Sequence, residues 1–162
     1  LGWVPWQEIA NELQPRFIHN TSGRFESRFS TVKIFPSPSI MLKEMEGSVL
    51  GIWIAHGEGR AHFPDRDILR KIESQQLAPV RYVDDNNEIT AKYPFNPNGS
   101  DAGIAALCSS DGRHLAIMPH PERTFLKWQW QWMPDDWKKN LKASPWIRMF
   151  QNARKWCSND SY

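Results

Sequence analysis

Hydrophobic and polar positions change period several times along this chain, and each change marks an element. Arg16-Phe17-Ile18-His19 and Phe29-Ser30-Thr31-Val32-Lys33-Ile34-Phe35 are extended runs. The turn-forming Asn20-Thr21-Ser22-Gly23 separates them, and Pro36 and Pro38 close the second. Ser48-Val49-Leu50-Gly51-Ile52-Trp53-Ile54-Ala55 is almost wholly apolar at strand length, which predicts a strand covered on both faces. Asp65-Arg66-Asp67 opens a stretch where Ile68, Leu69, Ile72 and Leu77 recur at helical spacing, with acidic groups at the positive end of the helix dipole. Residues 79–83 and 89–93 flank a polar segment and predict a hairpin. Residues 94–103, rich in Pro, Asn and Gly, read as a loop. Residues 104–108 and 114–118 flank Asp111-Gly112, a second and stronger hairpin signal. The clearest helix is the last: Ser144 caps it, Pro145 suits its first turn, and Trp146, Met149, Phe150 and Ala153 share one face. Together these predict a mixed α/β domain with several strands and two or three helices.

Composition narrows the class. With 162 residues the chain suits one domain rather than two, and 40% hydrophobic against 23% charged residues is enough to build a core. No apolar run reaches the roughly 18 residues that a membrane span needs. A net charge of +2 is too weak to point to nucleic acid or an anionic membrane as partner. Cys108 and Cys157 alone make neither a disulfide framework nor a four-cysteine zinc site. The opening Leu1-Gly2-Trp3-Val4-Pro5-Trp6 lacks the pattern of a secretory signal and reads as part of something longer; a cytoplasmic location is expected.

The sharpest chemical feature is Met118-Pro119-His120-Pro121-Glu122-Arg123, where an apolar strand ends. Flanking prolines favour an extended, stiff backbone. Residues two apart in such a segment share a side, roughly 7 Å apart at Cα. His120 and Glu122 then project together, and a carboxylate beside an imidazole fixes its tautomer and supports it as a base. A proline-stiffened surface His and Glu would leave the same pattern. No nucleophile elbow accompanies the pair: neither Cys108 nor Cys157 is flanked by glycines at elbow spacing.

Met118-Pro119-His120-Pro121-Glu122-Arg123 resembles the His-x-Glu end of triad-type glutamine amidotransferases. Asn20-Thr21-Ser22-Gly23-Arg24-Phe25-Glu26-Ser27-Arg28, Ala55-His56-Gly57-Glu58-Gly59, Tyr93-Pro94-Phe95-Asn96-Pro97-Asn98-Gly99-Ser100, and Ser144-Pro145-Trp146 leading to Asn152-Ala153-Arg154 follow the family's order across nearly the whole chain. They are most similar to the member serving purine biosynthesis, in its large single-chain form. The resemblance implies a three-layer, flavodoxin-like α/β class I amidotransferase domain without its N-terminal portion, with residues 1–162 as the C-terminal part of the glutaminase domain. It implies that His120 is the general base and Glu122 its orienting carboxylate. The cysteine nucleophile would precede Leu1, so the chain alone is expected to be inactive. The implied partners are glutamine and a synthetase domain of the same polypeptide, which uses ammonia to convert formylglycinamide ribonucleotide to formylglycinamidine ribonucleotide. ATP and Mg would belong to that synthetase domain; this chain is expected to hold no cofactor or metal. Another triad amidotransferase and a non-catalytic interaction module are the alternative readings.

Secondary positions follow from the same motifs. Gly57 and Glu58, after a strand, can offer backbone groups to the α-amino and carboxylate ends of glutamine, or serve only as a strand exit. His56 is a second imidazole, ranked below His120. Residues 96–100 read as a tight loop or a pocket wall. Arg28 and Arg123 are surface charges or supports of the His120 loop. Trp128-Gln129-Trp130-Gln131-Trp132 alternates like a strand with three indoles on one side, a candidate contact surface.

Overall fold

The computed structural model describes residues 2–7 and 9–158. Its strands are β1 (Arg16–Ile18), β2 (Glu26–Ile34), β3 (Val49–His56), β4 (Arg60–His62), β5 (Val80–Tyr82), β6 (Ile104–Cys108) and β7 (Leu115–Ile117). Five form a sheet in the order β3-β2-β5-β6-β7, while β1 and β4 make a separate ribbon. The pairings between these strands are antiparallel. Among the described residues the α-helices are α1 (Arg66–Ser74), α2 (Asp135–Asn140) and α3 (Ile147–Cys157); α1 and α3 follow the sequence pattern, and α2 is not marked by it.

Two apolar clusters put helices on either side of the sheet. On one side α1 buries Leu69 and Ile72 with Leu77, Ile104, Leu107 and Cys108. Asp65 starts α1 as expected, its Oδ1 accepting from the Asp67 amide at 2.8 Å. On the other side Trp146 and Met149 pack with Val32, Ile34, Leu50, Ile52, Ile54 and Ala106. Trp146 is fully buried and its indole N–H donates to the Gly51 carbonyl at 2.9 Å, so the indole loses no polar partner on burial. The result is the layered helix–sheet–helix arrangement anticipated from the sequence.

Four expectations need correction. β3 is an edge strand and its residues alternate between buried and half-buried, so it is not covered equally on both faces. The strand buried throughout is β6, which lies between β5 and β7. The outer face of β3 is instead screened by Trp53, Phe29 and Trp130, whose rings meet edge-on at 5.1 and 5.6 Å. Gly51 allows this, because a Cβ there would lie 2.2 Å from the Phe29 ring. The hairpin expected over residues 79–93 shrinks to one bridge, Val83 to Ile89, since β5 already pairs on both edges, with β2 and β6. The Asp111-Gly112 hairpin forms as expected, with Gly112 at φ +72° against the Pro38 carbonyl.

The tryptophan ladder does not form a strand either. Residues Lys127–Gln129 wind into a 3-10 turn, because the Gln129 side chain accepts from the Leu126 amide at 2.8 Å. Trp130 turns inward against Phe29 and Trp137, while Trp128 and Trp132 stay exposed. At the last helix the Ser144 hydroxyl accepts from the Trp146 amide, closing a turn two residues ahead of α3 rather than capping α3 itself.

Candidate functional site

The segment after β7 runs back onto β3. The His120 amide donates to the Trp53 carbonyl at 2.9 Å, forming a single antiparallel bridge to the edge strand. Pro121 then opens a 3-10 turn, Pro121–Arg123, with His120 as its N-cap. The Thr124 hydroxyl donates back to the His120 carbonyl at 3.1 Å and locks the turn. This corrects the extended geometry expected for residues 120–122. The turn, not strand alternation, brings His120 and Glu122 together: His120 Nδ1 lies 2.7 Å from Glu122 Oε1. A carboxylate can only accept there, so Nδ1 carries the hydrogen, and in the neutral tautomer Nε2 keeps its lone pair. Nε2 is buried and makes no hydrogen bond among the described residues. Arg123 Nε stands 3.6 Å from the same Glu122 oxygen. Arg28 does not support this loop, since its guanidinium bonds Glu26 and the Tyr93 hydroxyl.

His56, the last residue of β3, faces this pair. Its ring centroid is 6.1 Å from that of His120. Burial holds its pKa below the ordinary 6.5; Asn98 opposes the shift and the nearby His120 adds to it. Among the described residues neither ring nitrogen of His56 makes a hydrogen bond. The lowered pKa favours the neutral form of the His56 ring beside His120.

Gly57 and Glu58 follow directly. The Gly57 carbonyl accepts from the Asn20 amide at 2.8 Å, and Glu58 turns to solvent 3.5 Å from His19. Sequence reasoning missed the group that shapes this segment. Asn20 is buried and uses its whole amide: Nδ2 donates to the Arg24 and His56 carbonyls at 2.8 Å each, and Oδ1 accepts from the Gly59 amide at 3.0 Å and Asn98 Nδ2 at 2.8 Å. Asn98 Oδ1 in turn accepts from the buried Tyr82 hydroxyl at 2.8 Å. Ser100 donates to the Gly59 carbonyl and accepts from the Ala61 amide. The signal available in the sequence was the recurrence of Asn, Gly and Ser in three separate loops, which also suits ordinary turns.

Neither cysteine belongs to this site as a nucleophile. Cys108 is buried in the α1 cluster, where burial pushes its thiol up to about 12, and Cys157 is exposed at the end of α3. Among the described residues no group of three His, Cys, Asp or Glu could hold a metal ion. A groove of about 420 Å³ beside the site is lined by Ser27, Trp53, Ala55, Arg123, Trp128 and Gln129.

A carboxylate-braced imidazole in a layered α/β domain has the geometry that a base in nucleophilic catalysis requires. Residues 1–157 match the CobB/CobQ-like glutamine amidotransferase domain, and the chain belongs to that family. It is 59% identical over 98% of its length to the phosphoribosylformylglycinamidine synthase of Dictyostelium discoideum. It is 60% identical over 96% of its length to an Arabidopsis thaliana protein named probable phosphoribosylformylglycinamidine synthase, chloroplastic/mitochondrial. The human phosphoribosylformylglycinamidine synthase is 51% identical over 96% of the chain. The chain spans only 11–12% of the length of these relatives. Among solved structures, PurLQS from Thermotoga maritima shares the fold with a TM-score of 0.58 at 22% identity, covering 91% of this chain and 55% of that one. The amidotransferase resemblance read from the sequence is therefore correct at the level of family and fold.

Proposed function

We propose that this chain is the C-terminal portion of a glutaminase domain and supplies the base and its orienting carboxylate for glutamine hydrolysis. The observation that carries this is the 2.7 Å contact between His120 Nδ1 and Glu122 Oε1, which leaves Nε2 as the proton acceptor. In the proposed cycle Nε2 takes the proton of a cysteine thiol carried on polypeptide outside these 162 residues. The thiolate attacks the glutamine carboxamide carbon. His120 then gives that proton to the departing nitrogen, ammonia leaves, and a thioester remains. His120 Nε2 takes a proton from the water that attacks the thioester carbon, the C–S bond breaks, that proton passes to the cysteine sulfur, and glutamate is released. Glu122 holds the imidazole in the required tautomer and stabilises the imidazolium that forms. Gly57 and Glu58 are assigned to the α-amino acid end of the substrate.

By likeness to its relatives, the ammonia would serve an ATP-dependent synthetase domain of the same polypeptide, which makes formylglycinamidine ribonucleotide. ATP and Mg would act there, and residues 1–162 alone would not hydrolyse glutamine. A cytoplasmic setting is part of the proposal; among the described residues no helix is long and apolar enough to cross a membrane.

The test uses the full-length polypeptide with His120→Ala. Glutamine-dependent synthesis should be lost, while synthesis fed with ammonium chloride persists. Equal loss of both activities, or retention of the glutamine-dependent one, would overturn the proposal.

A further inference from the structure

We infer that Asn20 is a positioning residue for the substrate-binding segment 56–59, tuning affinity for glutamine rather than the chemical step. The inference rests on the glutaminase reading above and names a residue that reading does not need.

Four hydrogen bonds from one buried side chain converge on this segment and its neighbours. Asn20 Nδ2 holds the His56 carbonyl and Oδ1 holds the Gly59 amide, so the amide grips both ends of the loop that carries Gly57 and Glu58. The backbone joins in, with the Asn20 amide donating to the Gly57 carbonyl. The remaining two bonds tie the loop outward: to Arg24 within its own turn, and through Asn98 to the Tyr82 hydroxyl on β5. An Asn has two donor hydrogens and one acceptor oxygen, and every one is used here. Buried groups so fully satisfied specify one arrangement, because any shift leaves a polar atom unpaired. The loop that would grip the α-amino acid end of glutamine is therefore held in place by a residue 36 positions earlier in the chain.

Aspartate is nearly isosteric and tests this directly. In Asn20→Asp the carboxylate still accepts from Gly59 and Asn98 but sets a second oxygen against the carbonyls of Arg24 and His56. The loop is then pushed away at its His56 end. Because the contacts at risk bind substrate and transition state alike, KM should rise while kcat changes little. The expected rise in KM for glutamine is about 10-fold or more, with kcat within about 3-fold of wild type. Asn98→Asp, which replaces the one bond donated to Asn20 with an oxygen set against Asn20 Oδ1, should raise KM in the same sense and by less. It carries the test if Asn20→Asp does not fold.

Steady-state glutaminase kinetics of the full-length polypeptide provide both numbers. An unchanged KM in a folded variant, or a fall in kcat with KM unchanged, would overturn the role of Asn20 and leave the glutaminase reading standing. Absence of glutamine hydrolysis by the wild type would overturn the reading itself.

Discussion

Gly59 and Gly57 lie two residues apart in one loop, and the structure demands opposite outcomes when each becomes alanine. Neither has a positive φ, so a Cβ adds no backbone strain at either position. At Gly59 that Cβ would fall 2.1 Å from His56 Nε2 and 2.6 Å from Asn98 Nδ2. Both neighbours are buried, and Asn98 is pinned at both ends of its amide. Relief requires moving packed groups, for which overpacked cores lose about 1–3 kcal/mol. With an unfolding entropy of about 2.1 cal/mol/K per residue, a domain of 162 residues should lose about 3–9 °C in Tm. At Gly57 the Cβ meets nothing within 4 Å. Restricting the unfolded chain should then stabilise by about 0.4–1 kcal/mol, or up to about 3 °C. Thermal unfolding followed by circular dichroism on the two variants reads this difference. A Gly59→Ala protein melting within 1 °C of wild type would refute the packing of His56 and Asn98 described above.

Three further outcomes follow from the same geometry. Glu122→Gln should reduce glutaminase turnover of the full-length polypeptide by about 10²- to 10⁴-fold, since an amide can hold the imidazole in the wrong tautomer; a loss below 10-fold would remove Glu122 from the mechanism. His56 has a lowered pKa when folded, so below 6.5 the unfolded chain binds a proton that the folded chain resists. Stability should therefore decline as pH falls through 6.5 towards the folded value, and His56→Gln should remove that part of the decline; urea midpoints at two pH values for both proteins measure it. Iodoacetamide followed by peptide mapping should label Cys157 in the native protein and Cys108 only after unfolding, because burial keeps the Cys108 thiol protonated up to about 12.

Local pattern carried a good share of the fold. Asp65 announces α1, Asp111-Gly112 announces the β6–β7 turn, and the apolar run at 48–55 announces β3. Pattern could not tell that β3 is an edge strand, because three aromatic rings screen its outer face and give it the composition of an interior one. It also misread Trp128, Trp130 and Trp132: alternation of indoles says nothing about Gln129 reaching back to Leu126, and that bond makes the segment a turn. At the site, His120 and Glu122 were legible because two prolines and a short spacing confine them. Their approach comes from a 3-10 turn closed by Thr124, a hydroxyl that no periodicity marks. Asn20 and Asn98 sit 78 residues apart and make sense only once the loops meet. Long-range polar networks leave no period in a sequence, whereas core faces do.

The central claim is that this chain holds a base and its orienter but not the nucleophile. Glutamate release from glutamine tests it most directly, measured for residues 1–162 alone and for the same residues joined to the polypeptide that precedes them in the full-length protein. The account predicts release only from the longer protein, abolished there by His120→Ala. Glutamate production by residues 1–162 alone, or its survival in the His120→Ala variant of the longer protein, would contradict it.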